Sequence, residues 1–144
     1  DSYRRHLEEV EAQISEDLSS AVPEIPAVGR YLVLGGGKRL RPMLVILSAE
    51  VSGYRGDKTR VLGSIVETIH TASLLHDDIV DGADVRRGRP AAHSVWGNAV
   101  IVLVGDYMYS NALRIAVSLN SQRIMDTLSE ATTRMTEAEL LQLS

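Results

Sequence analysis

The 144-residue sequence contains no cysteine and no phenylalanine, and its charged residues give a net charge of −4. Without cysteine the chain can form neither a disulfide framework nor a thiolate metal site, and a cytoplasmic location is expected. The slightly acidic balance gives no reason to expect binding to nucleic acid. The remaining composition, 44% hydrophobic and 24% charged residues, is ordinary for one globular domain.

Long apolar runs are missing as well. No uninterrupted run reaches the length of about 18 residues that spans a bilayer, so we expect no transmembrane segment. The first residues, DSYRRHLEEVEAQI, are charged and lack the apolar core of a signal peptide.

Helical periodicity runs through most of the sequence, because apolar residues recur three and four positions apart. The prolines of VPEIP (22–26) and the glycines at 35–37 interrupt it. The run AVIVLV could be a buried strand, but its continuation is helical and no second strand candidate exists to pair with it. The sequence therefore predicts an all-α protein, with DGADVRRGRP (81–90) as a helix end and a turn. The predicted helices cover residues 3–20, 27–34, 42–52, 60–80, 99–117 and 122–144.

Four aspartates are concentrated between positions 77 and 84. Asp77 and Asp81 are four residues apart, so a helix places both carboxylates on one face, one turn apart. The two charges repel each other unless a cation lies between them, and an oxygen-only ligand set favours a hard ion, with Mg²⁺ as the first choice. Asp78 lies about 100° round the helix and is expected to play a supporting part. Acidic pairs are also common at solvated helix ends, and that alternative remains open here.

Two adjacent arginines, Arg86 and Arg87, follow in a turn closed by Gly88. Their forked guanidinium donors match the geometry of a phosphate group. The alternative is that they only neutralise the nearby aspartates as surface ion pairs, which contribute little stability.

The segment GGGKRLRP (35–42) is similar to a phosphate-binding loop, but Leu32 and Arg39 stand where a P-loop requires glycine and Ser or Thr. Lys38, Arg39 and Arg41 would lie at the start of a helix that has Pro42 at its first position. Three cations there are unfavourable, because the helix dipole is positive at that end, unless an anion is bound. The pattern favours diphosphate binding over a simple basic helix start.

Together, GGKRLRP (36–42), HTASLLHDDIVD (70–81) with RRG (86–88), and GDYMYSNA (105–112) resemble the trans-isoprenyl diphosphate synthase, or polyprenyl synthetase, family, and most of all its octaprenyl and other long-chain members. The resemblance implies an isoprenoid synthase-type antiparallel helix bundle. It also implies a homodimeric enzyme that condenses isopentenyl diphosphate with an allylic diphosphate by Mg²⁺-assisted ionisation, condensation and elimination.

The family pattern also implies roles for individual residues. Asp77 and Asp81 would hold the Mg²⁺ ions that bind the allylic diphosphate, and Arg86 would contact the same diphosphate, so these three are the implied catalytic residues. The implied pocket for isopentenyl diphosphate consists of Lys38, Arg41, His70 and Arg87. Three other ring side chains are expected to be structural, namely His76, His93 and Trp96.

Product length in this family depends on a tunnel beneath the first aspartate motif. Ala72 and Ser73 lie five and four residues before Asp77, and both are small. Short-chain members resemble one another in placing bulky aromatic residues there, so we expect a longer product. The alternative is that the small residues only allow close helix packing.

A second aspartate-rich motif belongs to the C-terminal half of the family pattern, and residues 1–144 contain none. We expect these residues, which begin at Asp1 rather than methionine, to be the N-terminal half of a single polyprenyl synthetase domain, inactive by themselves. The alternative is a non-catalytic or regulatory subunit of a heteromeric synthase. A terpene cyclase is disfavoured, because it shares the aspartate motif but not GGKRLRP.

Overall fold

A computed structural model describes residues 2–144, and within them it contains seven helices and one two-stranded ribbon. The all-α class is confirmed, while the ribbon, β1 (Val85–Arg86) and β2 (Arg89–Pro90), occupies a segment predicted only as a turn. The helices are α1 (Ser2–Asp17), α2 (Glu24–Leu34), α3 (Leu40–Val51), α4 (Lys58–Asp81), α5 (Ala92–Trp96), α6 (Asn98–Ser118) and α7 (Gln122–Leu143).

The helix α4 is central, since it packs against α6 most extensively and also against α1 and α3. One core cluster joins α1, α2, α4 and α6, and its most buried members include Val10, Val28 and Ile101. A second cluster joins α4 to the later part of α6 through Ile65 and Ala116. Each fully buried aliphatic side chain contributes about 1.5–3 kcal/mol, so α4 is held firmly on these sides.

By length and composition α6 could cross a membrane, although uninterrupted apolar runs predicted no such segment. Core helices pass the same test, and Ile101, Val104 and Met108 of α6 are buried in the first core cluster. The ambiguous run AVIVLV lies in this helix, as its helical continuation predicted.

Helix boundaries differ from the predicted ones near the prolines. The helix α2 begins at Glu24, so Pro26 lies within its first turn, and α3 begins at Leu40, so Pro42 is its third residue and not its first. Proline is tolerated there because the N–H groups of a first turn have no intrahelical acceptor. The helix α1 ends at Asp17 and not at residue 20.

Two tight turns set the positions of the acids and the arginines. Gly82 adopts a left-handed conformation (φ 67°) and the Ala83 N–H donates to the Asp78 carbonyl oxygen over 2.9 Å, which ends α4 directly after Asp81. Arg87 (φ 54°) and Gly88 (φ 75°) form the two-residue hairpin between β1 and β2. Positive φ at both positions is the requirement of a type I′ turn, which glycine meets without strain.

Candidate functional site

An open cavity of about 400 Å³ lies between the glycine-rich loop, α4 and the ribbon. We name it the basic cavity, and its lining includes all four residues predicted to form a diphosphate pocket: Lys38, Arg41, His70 and Arg87. Glu67 is the only carboxylate in that lining, so positive charge is in excess. The structure therefore brings together side chains that lie up to 49 positions apart in the sequence.

The loop before α3 presents its cations to solvent. Gly36 (φ 79°) and Gly37 (φ 140°) adopt conformations that glycine allows, and Lys38 and Arg41 are exposed. Neither forms a salt bridge with any residue between 2 and 144. The Arg87 guanidinium donates a hydrogen bond to the Gly36 carbonyl oxygen, which connects the ribbon to the loop.

Arg39 differs from its basic neighbours. Its Nε lies 3.3 Å from Glu11 Oε1 and its Nη1 lies 3.6 Å from Glu67 Oε1, and only 13% of the side chain is exposed. The sequence pattern placed Arg39 with Lys38 and Arg41, whose positive charges were expected to require a bound anion. In the structure two carboxylates compensate it, so it anchors the loop to α1 and α4.

His70 lies on α4 between the cations. Partial burial, followed by the positive charges of Arg41, Arg86 and Arg87, lowers the pKa of His70 to about 4. The ring is therefore neutral at neutral pH and offers one N–H donor and one acceptor nitrogen. A bound anion would raise its pKa, because negative charge favours the imidazolium form.

Asp77 and Asp81 form an acidic pair near the end of α4. Burial, followed by the negative charges of Asp81 and Asp78, raises the pKa of Asp77. No group of three His, Cys, Asp or Glu side chains among residues 2–144 forms a ready metal site. Two carboxylates nevertheless suit Mg²⁺, which keeps several waters and takes further oxygens from a phosphorylated substrate.

Glu139 of α7 lies close to Asp77 of this pair. No sequence pattern indicated this proximity. Burial raises the pKa of Glu139, and so do the charge of Asp77 and the hydrogen bond between the two side chains. The same hydrogen bond acts to lower the pKa of Asp77, against the larger raising effects of burial and of the neighbouring carboxylates. A cation bound by Asp77 would favour the ionised form of both groups.

Asp78 and Arg86 form a bidentate ion pair. Arg86 Nε donates to Asp78 Oδ2 over 2.7 Å, and Arg86 Nη2 donates to Asp78 Oδ1 over 2.6 Å. Asp78 is only 5% exposed, so its charge depends on this partner. The pair fixes the guanidinium beside the acidic pair, while its remaining N–H groups can still meet a phosphate.

His76 and His93, which are predicted to be structural, both contact other parts of the chain. His76 Nε2 lies 3.5 Å from Asp106 Oδ1, and a Cβ atom at Gly105 would overlap the His76 ring. The Gly-Asp of GDYMYSNA thus allows α4 and α6 to meet closely. His93 Nε2 lies 2.7 Å from a backbone carbonyl oxygen, and Trp96 packs edge-on against Tyr31.

Ala72 and Ser73, the predicted chain-length residues, face different surroundings. Ala72 is 2% exposed and belongs to the core cluster that contains Val104 and Met108 of α6. Ser73 is partly exposed, and its hydroxyl donates to the His70 carbonyl oxygen over 2.6 Å. Close helix packing thus accounts for the small residue at position 72, whereas Ser73 lies one turn from Asp77 on the side of the acidic pair.

The helix bundle, with a basic cavity and an acidic pair along one central helix, has the fold of the isoprenoid synthases. The sequence profile of the polyprenyl synthetase family matches residues 22–144. The chain belongs to this family.

Characterised relatives include the octaprenyl diphosphate synthase of Escherichia coli, which is 46% identical over 134 residues, or 93% of this chain and 42% of the relative. Component 2 of the heptaprenyl diphosphate synthase of Bacillus subtilis is 31% identical over 95% of this chain and 39% of its own. The chain therefore spans about two fifths of the length of these relatives.

Solved structures of similar proteins agree with the fold. A polyprenyl synthase from Caulobacter crescentus, complexed with calcium and isoprenyl diphosphate, superimposes with a TM-score of 0.93 and 41% identity over 97% of this chain and 43% of its own. A decaprenyl diphosphate synthase from Rhodobacter capsulatus gives 0.95 and 43% identity over 99% of this chain and 44% of its own.

Proposed function

We propose that this chain supplies the diphosphate-binding and metal-binding residues of a cytoplasmic, homodimeric trans-prenyltransferase. The substrates would be isopentenyl diphosphate and an allylic diphosphate, and the product a medium- or long-chain polyprenyl diphosphate. The observation that carries the proposal is the position of the basic cavity beside the acidic pair, with His70 and Asp77 seven residues apart on one face of α4. Membership of the polyprenyl synthetase family supports it.

The residues of the basic cavity would hold isopentenyl diphosphate through charge-assisted hydrogen bonds from Lys38, Arg41 and Arg87, with His70 adding a neutral donor. Arg86, fixed by Asp78, would contact the allylic diphosphate. The allylic C–O bond breaks, the double bond of isopentenyl diphosphate forms the new C–C bond, and the released diphosphate takes the proton that is lost. Positioning of the two substrates is the main contribution of these side chains.

Asp77 and Asp81 would hold Mg²⁺, which supplies positive charge to the departing diphosphate. The carboxylate oxygens of this pair are hard ligands. Burial, followed by the negative charges of Asp81 and Asp78, raises the pKa of Asp77, and a cation would offset those charges.

The product is proposed to be long because small residues lie below Asp77. Phenylalanine at position 73 should shorten the product, since its ring would extend toward the proposed tunnel. Ala72→Phe should also shorten the product if residue 72 lines the tunnel, and should mainly destabilise the fold if its burial against α6 reflects packing alone. Chromatography of the products tests both, and unchanged length in a folded Ser73→Phe variant would contradict the tunnel.

The activity is tested on the protein as its gene encodes it, with isopentenyl diphosphate, an allylic primer and Mg²⁺. We expect incorporation that stops when the metal is chelated. A second candidate function is that of a subunit of a heteromeric synthase. It is favoured by the relatives named as component 2 of a heptaprenyl diphosphate synthase. Turnover that requires a different second chain would favour the subunit, and no turnover under either condition would contradict both.

A further inference from the structure

A second, smaller cavity of about 90 Å³ lies on another side of α4. We name it the inner cavity and define it by Leu18, which directly follows α1, Leu32 of α2, Thr68 and Leu75 of α4, and Met108 of α6. Four of these five side chains are apolar, so the interior suits an apolar molecular body.

Thr68 contributes a buried hydroxyl group to the lining of the inner cavity. Thr68 is 4% exposed, and its Oγ1 has no hydrogen-bond partner within the described part of the chain. Buried hydroxyl groups are normally hydrogen-bonded, because leaving one unpaired costs free energy. A ligand that carries one hydroxyl or carbonyl group could provide the missing bond.

The floor of the inner cavity is distinct from the proposed substrate site. Thr68 and Leu75 are seven residues apart and share one face of α4, as His70 and Asp77 share another. Two residues along a helix correspond to a rotation of about 200°, so the two faces are nearly opposite. The two cavities adjoin on the side of the glycine-rich loop and the ribbon, where Arg39, Glu67, His70 and Arg87 line both.

Charged side chains also line the inner cavity, and only some of them are paired. Asp78 is paired with Arg86, and Glu67 is paired with Arg39. Arg89 donates to the Tyr31 carbonyl oxygen over 2.9 Å and forms no salt bridge with a described residue. The five residues that define the inner cavity are uncharged, so an occupant that contacts them needs no charge of its own.

We propose that the inner cavity is a binding site for a small uncharged amphiphile, with an apolar body and one hydroxyl or carbonyl group that bonds to Thr68. An engineered apolar cavity of about 150 Å³ holds benzene, so this cavity suits roughly three or four non-hydrogen atoms. The probe that fits this description is propan-2-ol. The proposal concerns the cavity alone and does not depend on the proposed activity.

Methionine methyl groups provide the readout in the gene-encoded protein. Met108 lines the inner cavity, whereas Met43, Met125 and Met135 do not. With ¹³C-labelled methionine methyls, propan-2-ol should shift the Met108 signal saturably, with a Kd on the order of 1–10 mM for so few atoms. The other three of these signals should stay in place and serve as internal controls.

Two variants separate the site from general solvent effects. Thr68→Val keeps the shape and removes the hydroxyl, so the affinity should fall by roughly fivefold, as expected for one neutral hydrogen bond. Leu32→Phe should fill the space and abolish the saturable shift. The matched control is Thr133→Val on exposed α7, which should leave the affinity unchanged.

Several results would overturn the proposal. These are a Met108 signal that does not saturate, equal shifts in all four of these methionines, or the same affinity in Thr68→Val as in the parent protein. If Thr68→Val fails to fold, Leu32→Phe decides, because binding that persists in that variant contradicts the site.

Discussion

The basic cavity and the acidic pair share one face of α4, yet they prepare for ligands in opposite ways. In the basic cavity Lys38 and Arg41 are exposed without a salt bridge to any described residue, so an anion can bind directly. At the acidic pair, burial and like charges raise the pKa of Asp77, so a cation must arrive before an anion is attracted. In the proposed assignment, one end of the helix face can bind diphosphate directly, while the other end requires a metal ion first.

Removal of a carboxylate from the acidic pair should have the largest effect. In Asp77→Ala we expect turnover of the gene-encoded protein to fall by about a thousandfold or more, because a metal contributes several kcal/mol to charge stabilisation. Steady-state assays at saturating Mg²⁺ measure this loss. The control is Asp84→Ala, which removes an exposed carboxylate beyond the helix end and should keep parental activity. Activity within tenfold of the parent in Asp77→Ala would contradict the metal role.

Removal of a cation from the basic cavity should affect one substrate only. In Arg41→Ala we expect KM for isopentenyl diphosphate to rise by about 10- to 100-fold, since hydrogen bonds to charged groups contribute about 1.5–3 kcal/mol. The KM for the allylic substrate should change much less. Arg123→Ala, an exposed cation on α7, is the matched control. Equal changes in both KM values would mean that the two regions do not bind separate substrates.

A change in the ion pair between Asp78 and Arg86 tests how much this pair stabilises the region around Asp77 and Asp81. Asp78→Asn should lower the free energy of unfolding by about 2 kcal/mol, less than for a fully buried pair because Arg86 is partly exposed. Urea unfolding measures the change. Glu130→Gln, which breaks the exposed pair with Arg134, should cost less than about 0.5 kcal/mol. Similar losses in both variants would contradict the special position of Asp78.

The smallest effect is expected in the pH dependence of the basic cavity. Because the free protein has a His70 pKa of about 4, a bound anion raises this pKa and the complex takes up protons. Affinity for inorganic pyrophosphate should therefore strengthen as the pH falls from neutrality toward that value, relative to His70→Gln. Protonation of pyrophosphate itself affects both proteins equally. Parallel titration curves, recorded by calorimetry, would show that His70 does not face the anion.

Local patterns predicted most of the fold, because amphipathic spacing, prolines and glycines act within a few residues. The turn at Arg87 and Gly88 and the facing of Asp77 and Asp81 follow from such short-range rules. The family resemblance carried by the three motifs implied that the four residues of the basic cavity form one pocket, although each motif alone left a structural alternative open.

Long-range packing determined what the patterns could not predict. Arg39 has carboxylate partners on two other helices, and Glu139 reaches Asp77 from α7, at distances in sequence that no periodicity covers. The surroundings of Ala72 and Ser73 likewise depend on long-range packing, because the face of α4 that carries Ala72 packs against α6, whereas the Ser73 hydroxyl bonds within α4. The inner cavity is a gap between four helices, and no single segment encodes it.

The end of α4 carries Asp77, Asp78 and Asp81 and has no basic residue in its last turn. A helix C-terminus bears about half a negative charge, so the carboxylates of Asp77 and Asp81 oppose folding there, whereas that of Asp78 is compensated by Arg86. Any divalent cation that binds only the folded chain adds stability by mass action, about 2.7 kcal/mol at a hundred times its Kd. Metal binding at this helix end should therefore raise the melting temperature of the protein, even when no prenyl substrate is present.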